Sequence, residues 1–321
     1  MPERVVRNSD LLDASDELGS DEFFAGVLER RFGSPDYTSK DLGVAALNKL
    51  LRRNNVRAED LDLIIVSAQF NDTFSPGIGT AVQHAVGATS AAVLHVDNGC
   101  CAWISSVSTA QAFIDSGRYR KVAVVTVTNF VSRLTAFQAT RESWVLGDGA
   151  SATLLVADTG ADTILSVHEQ AFGENWGALR VEPDPVDGVA LPHWDGGHGP
   201  LTVKFNAKML LRLWQVAMER LPEAVESALR KADMTPDDVA WLITHQPNEN
   251  YIAEWRKRCG VDPARTHDTL AHYGNMFHSS LPVTFADALD KDMISAGDVI
   301  TFATFTHGGE MVSSMVWRWT G

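Results

Sequence analysis

The 321-residue sequence predicts a layered α/β protein made of two related halves, residues 1–160 and 161–321. Three observations point there: apolar runs of strand length, amphipathic helical stretches between them, and a first-half pattern that recurs in the second half.

Leu63-Ile64-Ile65-Val66, Val122-Ala123-Val124-Val125 and Ala152-Thr153-Leu154-Leu155-Val156 are almost continuously apolar. That pattern suits strands covered on both faces, whereas a strand with one wet face alternates. A helical stretch ending near Leu50-Leu51 leads into Glu59-Asp60-Leu61-Asp62-Leu63-Ile64-Ile65. A second stretch, ending near Leu229, leads into Asp237-Asp238-Val239-Ala240-Trp241-Leu242-Ile243, at an offset of about 178 residues. At nearly the same offset, Lys121 to Val125 is echoed by Asp298 to Phe302. Thr235-Pro236-Asp237 has the cap, proline, acid order of a helix start and predicts a short helical turn before the second-half strand. Between the halves, Phe172 to Pro200 is rich in Gly, Pro and Asp and reads as a long surface excursion.

Composition narrows the function classes. Hydrophobic residues are 45% and charged residues 21%, the balance of a soluble globular chain. No apolar run is long enough to cross a bilayer, and the N-terminus lacks the basic-then-apolar order of a signal peptide. Three cysteines, two of them adjacent, cannot build a disulfide framework, so a reducing, cytoplasmic setting is expected. A net charge of -14 disfavours nonspecific nucleic-acid binding. It also means that an acidic partner would need a local basic patch. Arg256, Lys257 and Arg258 form one such candidate, or else a solvated helix face.

Several residues could carry chemistry. No charged side chain occurs between Asp97 and Asp115, and Ile104, Val107, Ala110 and Ile114 recur at helical spacing, so a helix buried nearly all round is expected. Cys100 and Cys101 lie at its start, where unsatisfied N–H groups and the helix dipole favour a thiolate. A buried thiol can equally be inert packing, and this stretch alone does not choose between the two cysteines. His245 closely follows the apolar strand Trp241 to Ile243, a place where ligands gather in layered α/β folds, although a core histidine would look the same. Tyr273-Gly274-Asn275 opens a polar turn ahead of a helix from Leu281 to Ala288, and Asn there can simply serve the turn. Gly308-Gly309 lies between the last two strands and either brings N–H groups to a ligand or makes a hairpin. Gly147-Asp148-Gly149 reads as a tight turn.

Together and in this order, these segments resemble the ketosynthase III branch of the thiolase superfamily along almost the whole chain. Met1-Pro2-Glu3-Arg4-Val5-Val6 is similar to the family's entry segment, and Gly147-Asp148-Gly149-Ala150 to its Gly-Asp-Gly-Ala. Val96-Asp97-Asn98-Gly99-Cys100-Cys101-Ala102 is similar to its nucleophile segment, His245-Gln246-Pro247-Asn248 to its His-Gln-Ala-Asn, and Tyr273-Gly274-Asn275 to its Tyr-Gly-Asn. The resemblance implies a thiolase-like αβαβα fold with Cys101 as nucleophile and His245 and Asn275 as its partners. It also implies an oxyanion site made by the N–H groups of Cys101 and of the Gly308-Gly309 turn.

The implied reaction acylates Cys101 from an acyl-CoA or acyl-carrier-protein thioester. Decarboxylation of a malonyl-type thioester follows, and its enolate, stabilised by His245 and Asn275, condenses with the acyl group. An alternative keeps the fold and Cys101 but passes the acyl group to an alcohol or amine. No bound cofactor or metal is implied; an acyl carrier protein is a candidate partner, and the assembly is a homodimer.

The chain departs from the family pattern at Trp103, at Met276-Phe277-His278, at His307 and at Asn250. Trp103 and Phe277, if both face the acyl pocket, predict a preference for short or flat acyl groups. Met1 falls inside the entry segment, so the family's first strand, expected to be central, has no counterpart and would leave a sheet edge unpaired.

Overall fold

The structure, a computed structural model, describes residues 1–11, 24–34, 36–133, 143–157, 163–192, 194–306 and 308–321. His307 lies outside them. β1 (Arg4–Arg7) pairs antiparallel with β2 (Glu29–Phe32). Then come α1 (Ser39–Arg53), β3 (Leu63–Ala68), α2 (Gly79–Val86), β4 (Ala92–His95), α3 (Ala102–Asp115), β5 (Lys121–Thr128) and β6 (Gly149–Val156). They are followed by β7 (Ile164–Ala171), β8 (Leu179–Pro183), β9 (Leu201–Phe205), α4 (Ala207–Lys231), β10 (Trp241–Thr244) and α5 (Glu249–Arg258). The chain closes with α6 (Leu270–Tyr273), α7 (Ser280–Asp290), β11 (Val299–Phe305) and β12 (Met311–Arg318). No helix among the described residues is long and apolar enough to cross a membrane.

Local chemistry sets the element starts. Thr38 caps α1 reciprocally: its hydroxyl accepts from the Asp41 N–H at 3.1 Å, and the Asp41 carboxylate accepts from the Thr38 N–H at 3.0 Å. Thr235 and Asp238 make the same box around the 3₁₀ turn Pro236–Asp238, the short turn that the cap-proline-acid order predicts.

Two four-stranded sheets form, in the orders β4-β3-β5-β6 and β10-β11-β12-β7. In the first, β4 and β5 run parallel to β3, and β6 is antiparallel to β5. In the second, β10 and β11 are parallel, while β12 is antiparallel to both β11 and β7. The internal echo is therefore structural: β3, β5 and β6 correspond to β10, β11 and β12. A single parallel bridge between Leu242 and Thr266 stands where β4 pairs with β3.

The apolar runs are continuous because alternate residues enter different layers. Leu63 and Ile65 face a central cluster, whereas Ile64 and Val66 face an outer one. The centre holds α3 and α7, with Trp103, Ile104, Val107, Leu281 and Phe285 packed between Val122 and Val124 of one sheet and Ile300 and Phe302 of the other. α1 covers the outside of the first sheet through Leu42, Leu47 and Leu51. α4 covers the second through Met218, Leu221 and Val225, with Trp255 of α5 beside it. The result is the expected αβαβα stack.

Two expectations need correction. The excursion from Phe172 to Pro200 is not all irregular, since it contains β8, which pairs with β9 just beyond. Among the described residues, the unpartnered edge expected in the first half belongs to β6, and the equivalent edge of β12 carries β7, an edge strand. A strand in that place is peripheral rather than central, since β7 pairs only with β12.

Candidate active site

The segment expected to carry the nucleophile leaves β4 and makes a 3₁₀ turn, Gly99–Cys101, that runs directly into α3. Gly99 adopts φ +49, and a Cβ there would press on the Thr306 methyl at 3.3 Å. The turn is fixed from two sides: the Cys101 N–H donates to the Asn98 carbonyl at 3.0 Å, and the Thr304 hydroxyl of β11 donates to the Cys100 carbonyl at 3.1 Å. Cys101 is fully buried. Burial above all pushes its thiol up to about 12; the Ser313 hydroxyl opposes this, and the Glu169 and Glu310 carboxylates add to it. The thiolate expected at a helix start is therefore not the resting form.

His245 follows β10 and is buried. Its N–H continues the ladder to the Ala303 carbonyl of β11 at 2.8 Å. Gln246 locks the next step, donating to the Thr244 carbonyl at 2.8 Å and accepting from the Thr269 N–H at 3.1 Å.

Asn275 is also fully buried. Its N–H donates to the Val145 carbonyl at 2.7 Å, and its carbonyl accepts from the Gly147 N–H at 3.0 Å. Its side-chain oxygen accepts from the Phe277 N–H at 2.9 Å, which fixes the amide orientation. Phe277 has φ +50, a conformation that costs a non-glycine residue about 1–3 kcal/mol. Its ring packs on Phe130, with centroids 5.1 Å apart, in a cluster that includes Cys100.

The two glycine motifs pack on each other. A Cβ at Gly147 would collide with the Tyr273 carbonyl, and one at Gly274 would lie 2.7 Å from that of Val145. Gly147-Asp148-Gly149 is thus more than a tight turn. The buried Asp148 carboxylate accepts from the N–H groups of Gly33, Val131 and Ser132 at 3.1, 3.1 and 3.2 Å. Desolvation still holds its carboxyl above the usual range.

Gly308-Gly309 lies in the turn joining β11 to β12. Gly309, at φ +77, donates its N–H to the Thr306 carbonyl at 2.8 Å. The N–H groups of Cys101 and Gly309 thus already serve turns, and an incoming oxyanion would share them.

The structure brings the Cys101 turn and the segment after Asn275 together: Phe277–Ser279, β11 and β12 all pack against Gly99–Cys101. It does not bring Trp103 and Phe277 together. Successive α-helical positions turn by about 100°, so a residue two places beyond the nucleophile points to the opposite face. Trp103 accordingly enters the central core, edge-on to Phe302 at 5.0 Å, with its indole N–H donating to the Thr153 hydroxyl at 3.0 Å. Trp103 thus belongs to the central cluster, and Phe277 to the cluster with Cys100 and Phe130.

Several residues escaped the sequence reading. Arg30 is fully buried beneath the glycine motifs, donating to the carbonyls of Val6 and Trp144, and burial lowers its guanidinium to about 10. His278 donates to the Val127 carbonyl at 3.0 Å, and burial lowers its imidazole to about 4. Glu169 and Ser313 reach the thiol from β7 and β12, and strand residues carry no local motif that could announce this. The basic triplet is a helix end: Arg256 pairs with Asp268 at 2.6 Å and Arg258 with Glu254 at 2.7 Å.

Comparison with known proteins adds to this geometry. Residues 94–173 match the family model of 3-oxoacyl-(acyl-carrier-protein) synthase III, and residues 229–319 match the model of its C-terminal part. Beta-ketoacyl-(acyl-carrier-protein) synthase III of Rhodobacter capsulatus is 30% identical, covering 99% of this chain and 96% of the relative. The solved beta-ketoacyl-(acyl-carrier-protein) synthase III of Thermus thermophilus is 27% identical, with a TM-score of 0.84, over 100% of this chain and 97% of that one. The priming beta-ketosynthase of the R1128 polyketide pathway shares the fold at a TM-score of 0.86 and 24% identity, over 99% and 93%.

Proposed function

Because the chain belongs to the 3-oxoacyl-(acyl-carrier-protein) synthase III family, we propose that it acylates Cys101 from an acyl thioester and condenses the acyl group with a malonyl-type thioester by decarboxylation. The observation that supports this best is the packing of Phe277–Ser279, β11 and β12 against the Gly99–Cys101 turn, which carries a fully buried thiol. In the first half-reaction, sulfur attacks the thioester carbonyl, and the tetrahedral oxyanion takes N–H donors from Cys101 and the Gly308-Gly309 turn. In the second, His245 and Asn275 bind the donor's thioester carbonyl. Loss of carbon dioxide places charge on that oxygen, and the enolate carbon displaces Cys101 from the acyl group.

The acyl donor is acyl-CoA or an acyl carrier protein. Three buried cysteines fit a cytoplasmic location. Intact-protein mass spectrometry after incubation with a panel of acyl thioesters tests the nucleophile: the acyl adduct survives Cys100→Ala and disappears in Cys101→Ala. A chase with malonyl thioester tests the condensation. Asn275→Ala keeps the adduct but consumes it more slowly by about two to three orders of magnitude. Discharge by small alcohols or amines, with none by malonyl thioester, would instead support simple acyl transfer.

A further inference from the structure

Cys101 has no solvent exposure, so its proton needs a route out of the site when sulfur becomes a nucleophile. In the proposed reaction His245 and Asn275 act on the malonyl donor in the second half-reaction, whereas the thiol proton leaves during the first. The thiol donates to the Met311 carbonyl at the start of β12 at 3.6 Å, and the Ser313 hydroxyl, two residues further along that strand, acts on the sulfur from beside it. On its other side that hydroxyl donates to Glu169 Oε1 at 3.4 Å, and the Ser105 hydroxyl donates to the same oxygen at 2.5 Å. The Asn98 amide in turn donates to the Ser105 hydroxyl at 2.9 Å. Ser313 and Glu169 are directly opposed in the β12–β7 ladder, a pairing that holds side chains side by side. Glu169 sits on the exposed end of its strand. One chain of hydroxyl and carboxylate therefore links the buried sulfur to water.

We propose that Ser313 and Glu169 form a proton relay that serves Cys101 during acylation, with Glu169 acting through the Ser313 hydroxyl. The inference rests on Cys101 being the acylated residue. As the sulfur–carbon bond forms, the thiol proton passes to the Ser313 oxygen while the Ser313 proton passes to Glu169. When the tetrahedral intermediate collapses, the carbon–sulfur bond to the donor breaks, and the departing thiolate takes up one proton from the protonated carboxyl or its water. The sum is thiol plus thioester giving acyl-cysteine plus thiol, with no net change in protonation and no redox partner. Concerted transfer suits a site whose carboxylates and burial both oppose a free thiolate.

Other charged groups bear on the pH profile. Glu310 is a second carboxylate near the thiol, and its Oε2 accepts from the Thr306 hydroxyl at 2.7 Å. His168 neighbours Glu169 on β7 and feels Lys231 and Arg230. Facing Glu169 from α3, the nucleophile segment and β12 are Ser105, Asn98, Ser313 and the thiol.

The test compares two reactions of Cys101 in Glu169→Gln and Ser313→Ala: acylation by acyl-CoA, and alkylation by iodoacetamide, which needs only the thiolate at equilibrium. The relay predicts acylation slowed by about 10²-fold in each variant, with loss of the acidic limb of its pH profile in Glu169→Gln. Alkylation should hold or rise in Glu169→Gln, since a negative charge has left the sulfur's neighbourhood. Acylation that is unchanged or faster overturns the proposal and makes Glu169 only an electrostatic brake. Equal slowing of both reactions also overturns it, as structural damage. An adduct persisting in Cys101→Ala would instead remove the underlying assignment of the nucleophile.

Discussion

At the scale of single residues, Cys101 feels two opposing influences. A helix start favours an anion by about 0.3–1 kcal/mol when exposed, and by up to about 2 when partly buried. Burial works the other way and lifts the thiol to about 12, a displacement worth roughly 4 kcal/mol, so the protonated form prevails at rest. Iodoacetamide labelling of Cys101 in the substrate-free protein should therefore climb about tenfold per pH step from 7 to 9 without levelling off. A plateau below pH 8, read by mass spectrometry, would mean that the thiolate is preformed. Cys100, one residue earlier, is buried among Val6, Phe32, Phe130 and Phe277. Nothing in the order of the two cysteines separates them; the turn they share does, by sending one side chain toward β12 and the other into an apolar cluster.

Whole elements explain why two family departures matter differently. Trp103 belongs to the middle layer, where it meets Phe302 edge-on and stacks with Trp317. Trp103→Ala is expected to cost about 3–5 kcal/mol of stability rather than widen an acyl pocket, which chemical denaturation can measure. Improved use of long acyl chains at unchanged stability would contradict that. His278 lies in the 3₁₀ turn that packs on the nucleophile turn, and its folded-state imidazole titrates near 4. Between about 6.5 and 4 the unfolded chain binds a proton that the folded one refuses, so stability is complete above the higher value and lost as pH falls. The loss amounts to about 3 kcal/mol by pH 4. His278→Gln should flatten this dependence relative to wild type; denaturation midpoints at pH 4.5, 5.5 and 7 that move in parallel for both proteins would exclude it.

For the molecule as a whole, duplication has consequences at the sheet edges. β4 and β6 end the first sheet, and on neither outer edge does another strand pair among the described residues. Exposed edges of this kind invite pairing with another chain. Family membership together with such an edge leads us to expect a homodimer, and sedimentation at micromolar concentration should give twice the 35.0 kDa of one chain. A clean monomer would refute the expectation.

Much of the fold was legible because it depends on periodicity. Leu63 to Val66 and Trp241 to Thr244 read as doubly covered strands, since alternate residues must enter two apolar layers. Cys101, His245 and Asn275 stood out because each lies beside a local break in pattern, and the resemblance ordered them. Glu169, Ser313, Arg30 and the roles of Asp148 and Trp103 were not legible. Glu169 and Ser313 lie 144 positions apart, and Arg30 and Trp144 lie 114 apart, so their partnerships exist only once strands and loops pair. Burial, and with it the protonation of Cys101, is likewise set by what packs around a side chain. The sequence alone determined the layered fold with its internal echo and singled out the Cys100-Cys101 segment, because local pattern and order suffice for these. Only the tertiary structure decided which charges, hydroxyls and rings surround Cys101, because those neighbours are distant in the chain and adjacent only in space.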